Sequence, residues 1–235
     1  MSSKRDLYCN LSEAKEFCRR TAAHVAALCD CSATISGNQA KELGDEDLRC
    51  AFVLTILALE ETGKLFRVWQ AAALAEEQTQ NRIVVGDLFA DHQTKGAVAG
   101  DLCCQMLDFV SRTPPATSPP YGQLNVAMHE AVEDAKAHLK KIYQGFESVR
   151  EIAMYTANDS GDAWRAITKR VRDNIVVENF LLWLVARSAA TYLETGGGFL
   201  TATKALIDIQ KGVQSNEAFE FAGRMMVGMG SYDHR

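Results

Sequence analysis

Apolar residues recur every three to four positions along most of this chain, which is the spacing of helices that bury one face. Residues 51–59 are apolar on every side except at Thr55, so we expect their helix to be central. The pattern predicts about seven helices, over residues 11–31, 47–78 with a start from about Asp45, 87–111, 124–156, 162–194, 199–211 and 216–229.

Residues that break or cap helices fall between or at the ends of these segments. All four prolines lie in 112–122, and Gly196-Gly197-Gly198 follows the fifth predicted helix. Ser12 is the expected cap of the first helix, and 32–44 is expected to be a loop. Within the fourth segment a break near Gly145 is an open alternative. We therefore predict an all-α helical bundle.

We expect one domain over 1–235. The predicted core consists of the helices at 47–78, 87–111, 124–156 and 162–194, and the last helices form a C-terminal extension over about 160–235.

Composition narrows the function classes. The net charge of −5 argues against nucleic-acid binding by bulk electrostatics, so any phosphate contact needs a local basic cluster. Seven cysteines without CxxC spacing favour reduced thiols in a cytoplasmic protein over a disulfide framework or a zinc site. The longest uncharged apolar runs are well short of the ~20 residues of a spanning helix, so no membrane contact is expected.

Charged residues interrupt the apolar central helix near residue 60. Glu60 and Lys64 are four residues apart with the acid first, the favoured order for a helical ion pair. Glu61 lies about 100° further around the helix, so it cannot share every partner with Glu60. An open alternative is that one carboxylate pairs with Lys64 while the other binds a base elsewhere. Gly63 destabilises a helix interior unless another backbone or a ligand comes close, which indicates a tight crossing.

Two further polar segments carry candidate chemistry. His92 and Lys95 are three residues apart and share a helix face, an arrangement that suits an anionic ligand. Arg150 and Tyr155 follow in a later helix, where Tyr155 alone could be a core aromatic residue with a solvated hydroxyl.

Together these segments resemble the AbiV-type abortive infection family of bacterial phage-defence proteins. The resemblance covers about 48–155 and rests on the Glu60-Glu61-x-Gly63-Lys64 helix end, His92-x-x-Lys95, and Arg150 with Tyr155. That family looks like a branch of the HEPN superfamily, whose members include many metal-independent ribonucleases with an Arg-x(4–6)-His motif. In this chain Tyr155 occupies the spacing at which the histidine would be expected.

The resemblance implies a toxin-like endoribonuclease that acts on single-stranded or looped RNA and forms a homodimer, with no metal or cofactor. Tyrosine is a poor base at neutral pH, whereas histidine exchanges protons there, so His92 is the expected acid/base residue. Arg150, Lys95 and Lys64 would stabilise charge on phosphate, Glu60 or Glu61 would orient a basic group, and Tyr155 would bind phosphate or the 2′-OH.

Two alternatives compete with this interpretation. His129, Glu130, Glu133, Asp134 and His138 could bind a metal ion, although a solvated helix face explains them more simply. The serious alternative is a non-catalytic interaction protein, whose buried charges specify helix packing or receive a phage or antitoxin partner. Convergence of the candidate residues on one open cleft would favour catalysis or ligand binding, whereas residues that are spread apart or sealed by packing would favour the interaction protein.

Overall fold

The protein is described here by a computed structural model that covers residues 8–36, 43–84, 92–112, 145–154 and 160–211, with isolated positions at 133–134, 136–137, 140, 213 and 215–217. These residues form six helices and two short strands. In chain order the elements are β1 (Tyr8–Cys9), α1 (Leu11–Ser36), α2 (Asp45–Glu77), β2 (Ile83–Val84), α3 (His92–Arg112), α4 (Phe146–Met154), α5 (Ser160–Glu194) and α6 (Phe199–Lys211).

The all-α prediction is confirmed, with six helices in the described part of the chain rather than seven. The seventh predicted helix, 216–229, falls almost entirely outside the described residues, as do 85–91, where the third helix was expected to begin. Gly145 forms a turn and α4 starts directly after it, which resolves the open alternative in favour of a separate helix.

Helix α2 is the centre of the fold, as its apolar sequence predicts. It packs against each of the other five helices, and Phe52, Ile56 and Leu59 on it are almost completely buried. Near its C-terminal end Trp69 makes an edge contact with Phe199 at a ring-centroid distance of 5.0 Å. Residues on different faces of α2 can therefore meet several neighbouring helices at once.

The first helix differs from the prediction at both ends. Its cap is Asn10, not Ser12: the Asn10 side chain accepts from the Glu13 N–H at 2.9 Å, and the Glu13 carboxylate accepts from the Asn10 N–H at 2.8 Å. The helix also continues to Ser36, so the predicted loop is wrong over 32–36. The reason is tertiary, because the buried Ser32 hydroxyl donates to the Ala51 carbonyl of α2 at 2.9 Å.

Strands β1 and β2 form a short antiparallel ribbon that the helical pattern did not predict. Tyr8 pairs with Val84 and Cys9 with Ile83, so the ribbon ties the start of α1 to the chain that follows α2. The Arg82 guanidinium lies 3.5 Å from the centroid of the Tyr8 ring and adds a cation–π contact. Across the described residues, no helix is long and apolar enough to cross a membrane.

Candidate functional site

A carboxylate of α2 meets basic groups from two other helices. One oxygen of Glu60, Oε1, accepts a hydrogen bond from Nδ1 of His92. The same oxygen lies 4.0 Å from Nζ of Lys95 and 3.7 Å from Nε of Arg150. Residues from α2, α3 and α4 that are up to 90 positions apart in sequence therefore converge on one atom.

Burial differs sharply among the members of this cluster. The Lys95 side chain is 2% exposed, Glu60 9% and Arg150 13%, whereas His92 is 40% exposed. Glu60 is thus a buried counter-ion for two cations, and the imidazole is the member that solvent reaches. Because Nδ1 of His92 faces Glu60, Nε2 is the ring nitrogen left for a ligand or a proton.

Close backbone packing brings α3 against α2 at this point. A methyl group at Gly63 would overlap the backbone of Lys95, so the glycine is required for the approach of the two helices. One residue further along α3, Gly96 receives the ring of Phe146 in the same way. The predicted tight crossing at Gly63 is confirmed, and it positions Lys95 beside Glu60.

Helix α4 is held at both ends, which fixes Arg150 in its middle. At the N-terminal end the Gln93 side-chain oxygen accepts from the Glu147 N–H at 3.1 Å. At the C-terminal end Arg49 donates to the carbonyls of Ile152 at 2.7 Å and Ala153 at 3.0 Å. Sequence patterns did not single out Gln93 or Arg49, because their partners lie 54 and more than 100 positions away.

The predicted Glu60–Lys64 ion pair is wrong, whereas the expectation that one carboxylate pairs with Lys64 and the other with bases elsewhere is confirmed. Lys64 pairs with Glu61 instead, and both of these side chains are about one quarter exposed. The reason is that Glu60 points toward α3 and α4, where it meets the cations Lys95 and Arg150. The two adjacent glutamates therefore have separate roles, one inside the helix junction and one at its edge.

Burial lowers the pKa of the Lys95 ammonium from its ordinary value, because the charged form loses hydration. The carboxylates of Glu60 and Glu61 oppose this shift, while Lys64 and Arg150 add to it. All four charges therefore act on Lys95, which shows that both glutamates and both other cations lie within one electrostatic neighbourhood.

Some polar atoms of the cluster have unused hydrogen-bonding capacity. Nε of Arg150 and Oε2 of Glu147 are buried without a hydrogen-bond partner. Nη1 of Arg150 lies 3.9 Å from the other Glu147 oxygen, an ion-pair distance that is too long for a hydrogen bond. Glu147 is thus a further carboxylate of the site, and no sequence pattern indicated it.

Two predicted groups lie wholly or partly outside the described residues. Tyr155 is one of them, so its place relative to the cluster stays a prediction. Of the alternative metal-binding residues, Glu133 and Asp134 are described and exposed, and Glu133 forms an ion pair with Lys136 at 2.9 Å. Within the described ranges no three His, Cys, Asp or Glu side chains form a group that could hold a metal ion.

The junction of α2, α3 and α4 can orient an imidazole next to solvent and place cations behind it. A carboxylate that accepts from Nδ1 fixes the tautomer and the ring orientation, which is what proton transfer through Nε2 requires.

Comparisons of the chain with protein-family profiles, curated proteins and solved structures find no match.

Proposed function

We propose that the protein is a phage-defence effector of the abortive infection type, and that it is an endoribonuclease that needs no metal ion. The observation that carries the proposal is the half-exposed His92 whose ring is oriented by the buried Glu60, with Arg150 and Lys95 behind the same carboxylate. The resemblance of residues 48–155 to the AbiV-type family supplies the biological setting.

In the proposed reaction Nε2 of His92 accepts the proton of a ribose 2′-OH, and the 2′ oxygen attacks the adjacent phosphorus. The bond from phosphorus to the 5′ oxygen breaks, and the imidazolium returns the proton to that oxygen. The products are a 2′,3′-cyclic phosphate and a 5′-hydroxyl end. Glu60 stabilises the imidazolium while it exists, as a carboxylate does beside a catalytic histidine.

The cations have a different role in this proposal. Arg150 and Lys64 donate hydrogen bonds to the phosphate oxygens, where negative charge develops in the transition state. Nε of Arg150 is buried and has no hydrogen-bond partner in the described structure, so the fold leaves part of this guanidinium's hydrogen-bonding capacity unused. Lys95 is too deeply buried to contact the phosphate directly, and its charge raises the positive potential of the site from the protein interior.

The partners follow from the same proposal. The substrate is single-stranded or looped cellular RNA, because its bases and backbone are accessible to a small set of contacts. We also propose a homodimer in the cytoplasm, restrained or triggered by an antitoxin or a phage protein.

Expression in a bacterium tests the function. We expect the wild type to slow growth and to generate RNA fragments with 2′,3′-cyclic phosphate and 5′-hydroxyl ends, and His92→Ala and Arg150→Ala to abolish both effects. The controls are His24→Ala and Arg165→Ala, which change an exposed histidine on α1 and an exposed arginine on α5. Identical fragments from the two site variants, or none from the wild type, would contradict the proposal.

The burial of Lys95 and Glu60 favours one second candidate, a non-catalytic interaction protein whose charged junction specifies helix packing. This candidate predicts that His92→Ala and Arg150→Ala alter stability or partner binding and that no variant changes RNA ends. The expression experiment therefore separates the two functions.

A further inference from the structure

Arg67 lies on the same face of α2 as the candidate site. It follows Glu60 by seven residues and Lys64 by three, so the three side chains project within about 60° of one another around the helix. Gly63, which admits the backbone of α3, lies one turn before Arg67. Arg67 therefore extends the polar stripe of α2 beyond the cluster around Glu60.

The Arg67 guanidinium has no internal partner in the described part of the chain. Its Nη1 atom is buried without a hydrogen bond, and no carboxylate there forms an ion pair with it. Two other half-buried arginines have partners: Arg49 binds carbonyls of α4, and Arg172 binds the Leu43 carbonyl and Asp45. A buried donor without a partner is costly in a folded protein, and Arg67 as a whole is only half-buried, so a ligand can reach part of its side chain.

Charge balance distinguishes Arg67 from the inner cluster. Three carboxylates there offset three cations, namely Glu60, Glu61 and Glu147 against Lys64, Lys95 and Arg150. Arg67 adds a positive charge that none of the described carboxylates neutralises. Glu60, Glu61, Lys64 and Arg150 influence the pKa of Lys95. Arg67 lies one turn further along α2 and is not among these charges.

We propose that Arg67 binds a second phosphate of the RNA, next to the phosphate that is cleaved. The inference rests on the proposed function and makes the binding site at least two phosphates long along α2. Seven residues of helix separate Arg67 from Glu60 by about 10 Å, so one phosphate cannot engage both ends of the stripe. The planar guanidinium suits phosphate oxygens, which accept two parallel hydrogen bonds from it.

Binding of labelled 2′-O-methyl oligonucleotides, which cannot be cleaved by attack of a 2′-OH, tests the inference by fluorescence anisotropy. We expect Arg67→Gln to weaken binding of a pentanucleotide about tenfold and binding of a dinucleotide with one phosphate by less than twofold. The negative slope of log affinity against log salt concentration for the pentanucleotide should become less steep by about 0.7. Arg165→Gln, an exposed arginine on α5, should change neither quantity.

Thermal unfolding of Arg67→Met separates phosphate binding from a structural role. If Arg67 binds phosphate, the melting temperature should stay unchanged or rise, because its buried nitrogen has no partner to lose, while pentanucleotide affinity falls. A lower melting temperature with unchanged affinity would overturn the inference.

The failure of the inference and the failure of the proposed function have distinct outcomes. If the wild type cleaves RNA and Arg67→Gln binds the pentanucleotide as tightly as the wild type, only the second phosphate site is wrong. If the wild type neither cleaves RNA nor binds the oligonucleotides, the proposed function fails and the inference fails with it.

Discussion

Helix α2 carries two buried polar clusters little more than one turn apart, and they differ in how completely they are satisfied. The first is neutral and joins Thr55 to Ser32 of α1 and Asn179 of α5. The second is charged and joins Glu60 to α3 and α4. Both consist of polar residues in an apolar helix, so sequence alone makes them look equally anomalous.

The neutral cluster is closed. Thr55 donates to the Asn179 side-chain oxygen at 2.8 Å, the Asn179 amide donates to Ser32 at 2.7 Å, and Ser32 donates to the Ala51 carbonyl at 2.9 Å. Every side chain in it is at most 3% exposed. A network in which each group has a partner rigidifies a core and leaves no capacity for a ligand.

The charged cluster is partly exposed to solvent, and its hydrogen bonding is incomplete. His92 is 40% exposed, and Nε of Arg150 has no hydrogen bond. A polar group without a hydrogen-bond partner destabilises a core, but in a binding site the substrate can provide the missing partner. The two clusters thus differ in the completeness of their hydrogen bonding and in the exposure of His92, and these two properties mark the charged cluster as the candidate site.

The largest effect should follow from Glu60→Gln, which removes the counter-ion of two buried cations. We expect a loss of about 3–5 kcal/mol in the free energy of unfolding, because Lys95 and Arg150 lose the carboxylate that they share in a buried junction. Urea denaturation measures it. The adjacent Glu61→Gln should cost less than about 1 kcal/mol, since its pair with Lys64 is partly solvated. Equal losses would show that the two glutamates are not distinct.

Asn179→Ala tests the closed cluster. We expect a loss of about 1–3 kcal/mol in unfolding free energy, because two buried hydrogen bonds disappear. RNA cleavage per folded molecule should stay unchanged. Asn174→Ala on the same helix is the matched control, since its side chain bonds only the Arg170 carbonyl and is half-buried. A change in cleavage by Asn179→Ala would break the division between structural and functional polarity.

Gly63→Ala tests the backbone packing that positions Lys95 beside Glu60 in the charged cluster. The added methyl group would overlap the Lys95 backbone, and overpacking of this kind costs about 1–3 kcal/mol. Because α3 must move, the contact of His92 with Glu60 should be disturbed and cleavage should fall. Gly44→Ala is the control, where the nearest atom to the new methyl group is 3.9 Å away.

The smallest effect is a pH dependence caused by Lys95. Its pKa in the folded state lies below the ordinary value of 10.5, so between the two values the unfolded chain binds more protons than the folded one. The free energy of unfolding should therefore rise with pH across that alkaline window. Lys95→Met should lack this rise, and Lys64→Met should retain it; equal slopes in the wild type and Lys95→Met would contradict the assignment.

Helix ends with local chemical causes were predictable from the sequence. The helix predicted over about 199–211 is confirmed. Helix α5 ends at Glu194 as predicted, because Gly196 adopts φ +83° and the Gly197 N–H bonds the Tyr192 carbonyl. Such signals lie within a few residues of the end that they determine.

Features that depend on distant partners were not predictable in this way. Ser32 is typical of a loop in sequence, but its hydroxyl donates a hydrogen bond to the Ala51 carbonyl on another helix. The choice between Glu60 and Glu61 as the partner of Lys64 depended on where α3 and α4 lie. The sequence supplied Glu60, His92, Lys95 and Arg150 as candidates, while Gln93, Arg49 and Glu147 became visible only through contacts between helices.

The most direct test of the account is the rate at which purified protein cleaves single-stranded RNA, compared among the wild type, His92→Ala and His24→Ala. We predict 2′,3′-cyclic phosphate ends, a decrease of about 10²–10⁴-fold for His92→Ala, and an unchanged rate for His24→Ala, because only His92 is oriented by Glu60. Cleavage by His92→Ala at the wild-type rate, with both proteins folded, would contradict the central claim.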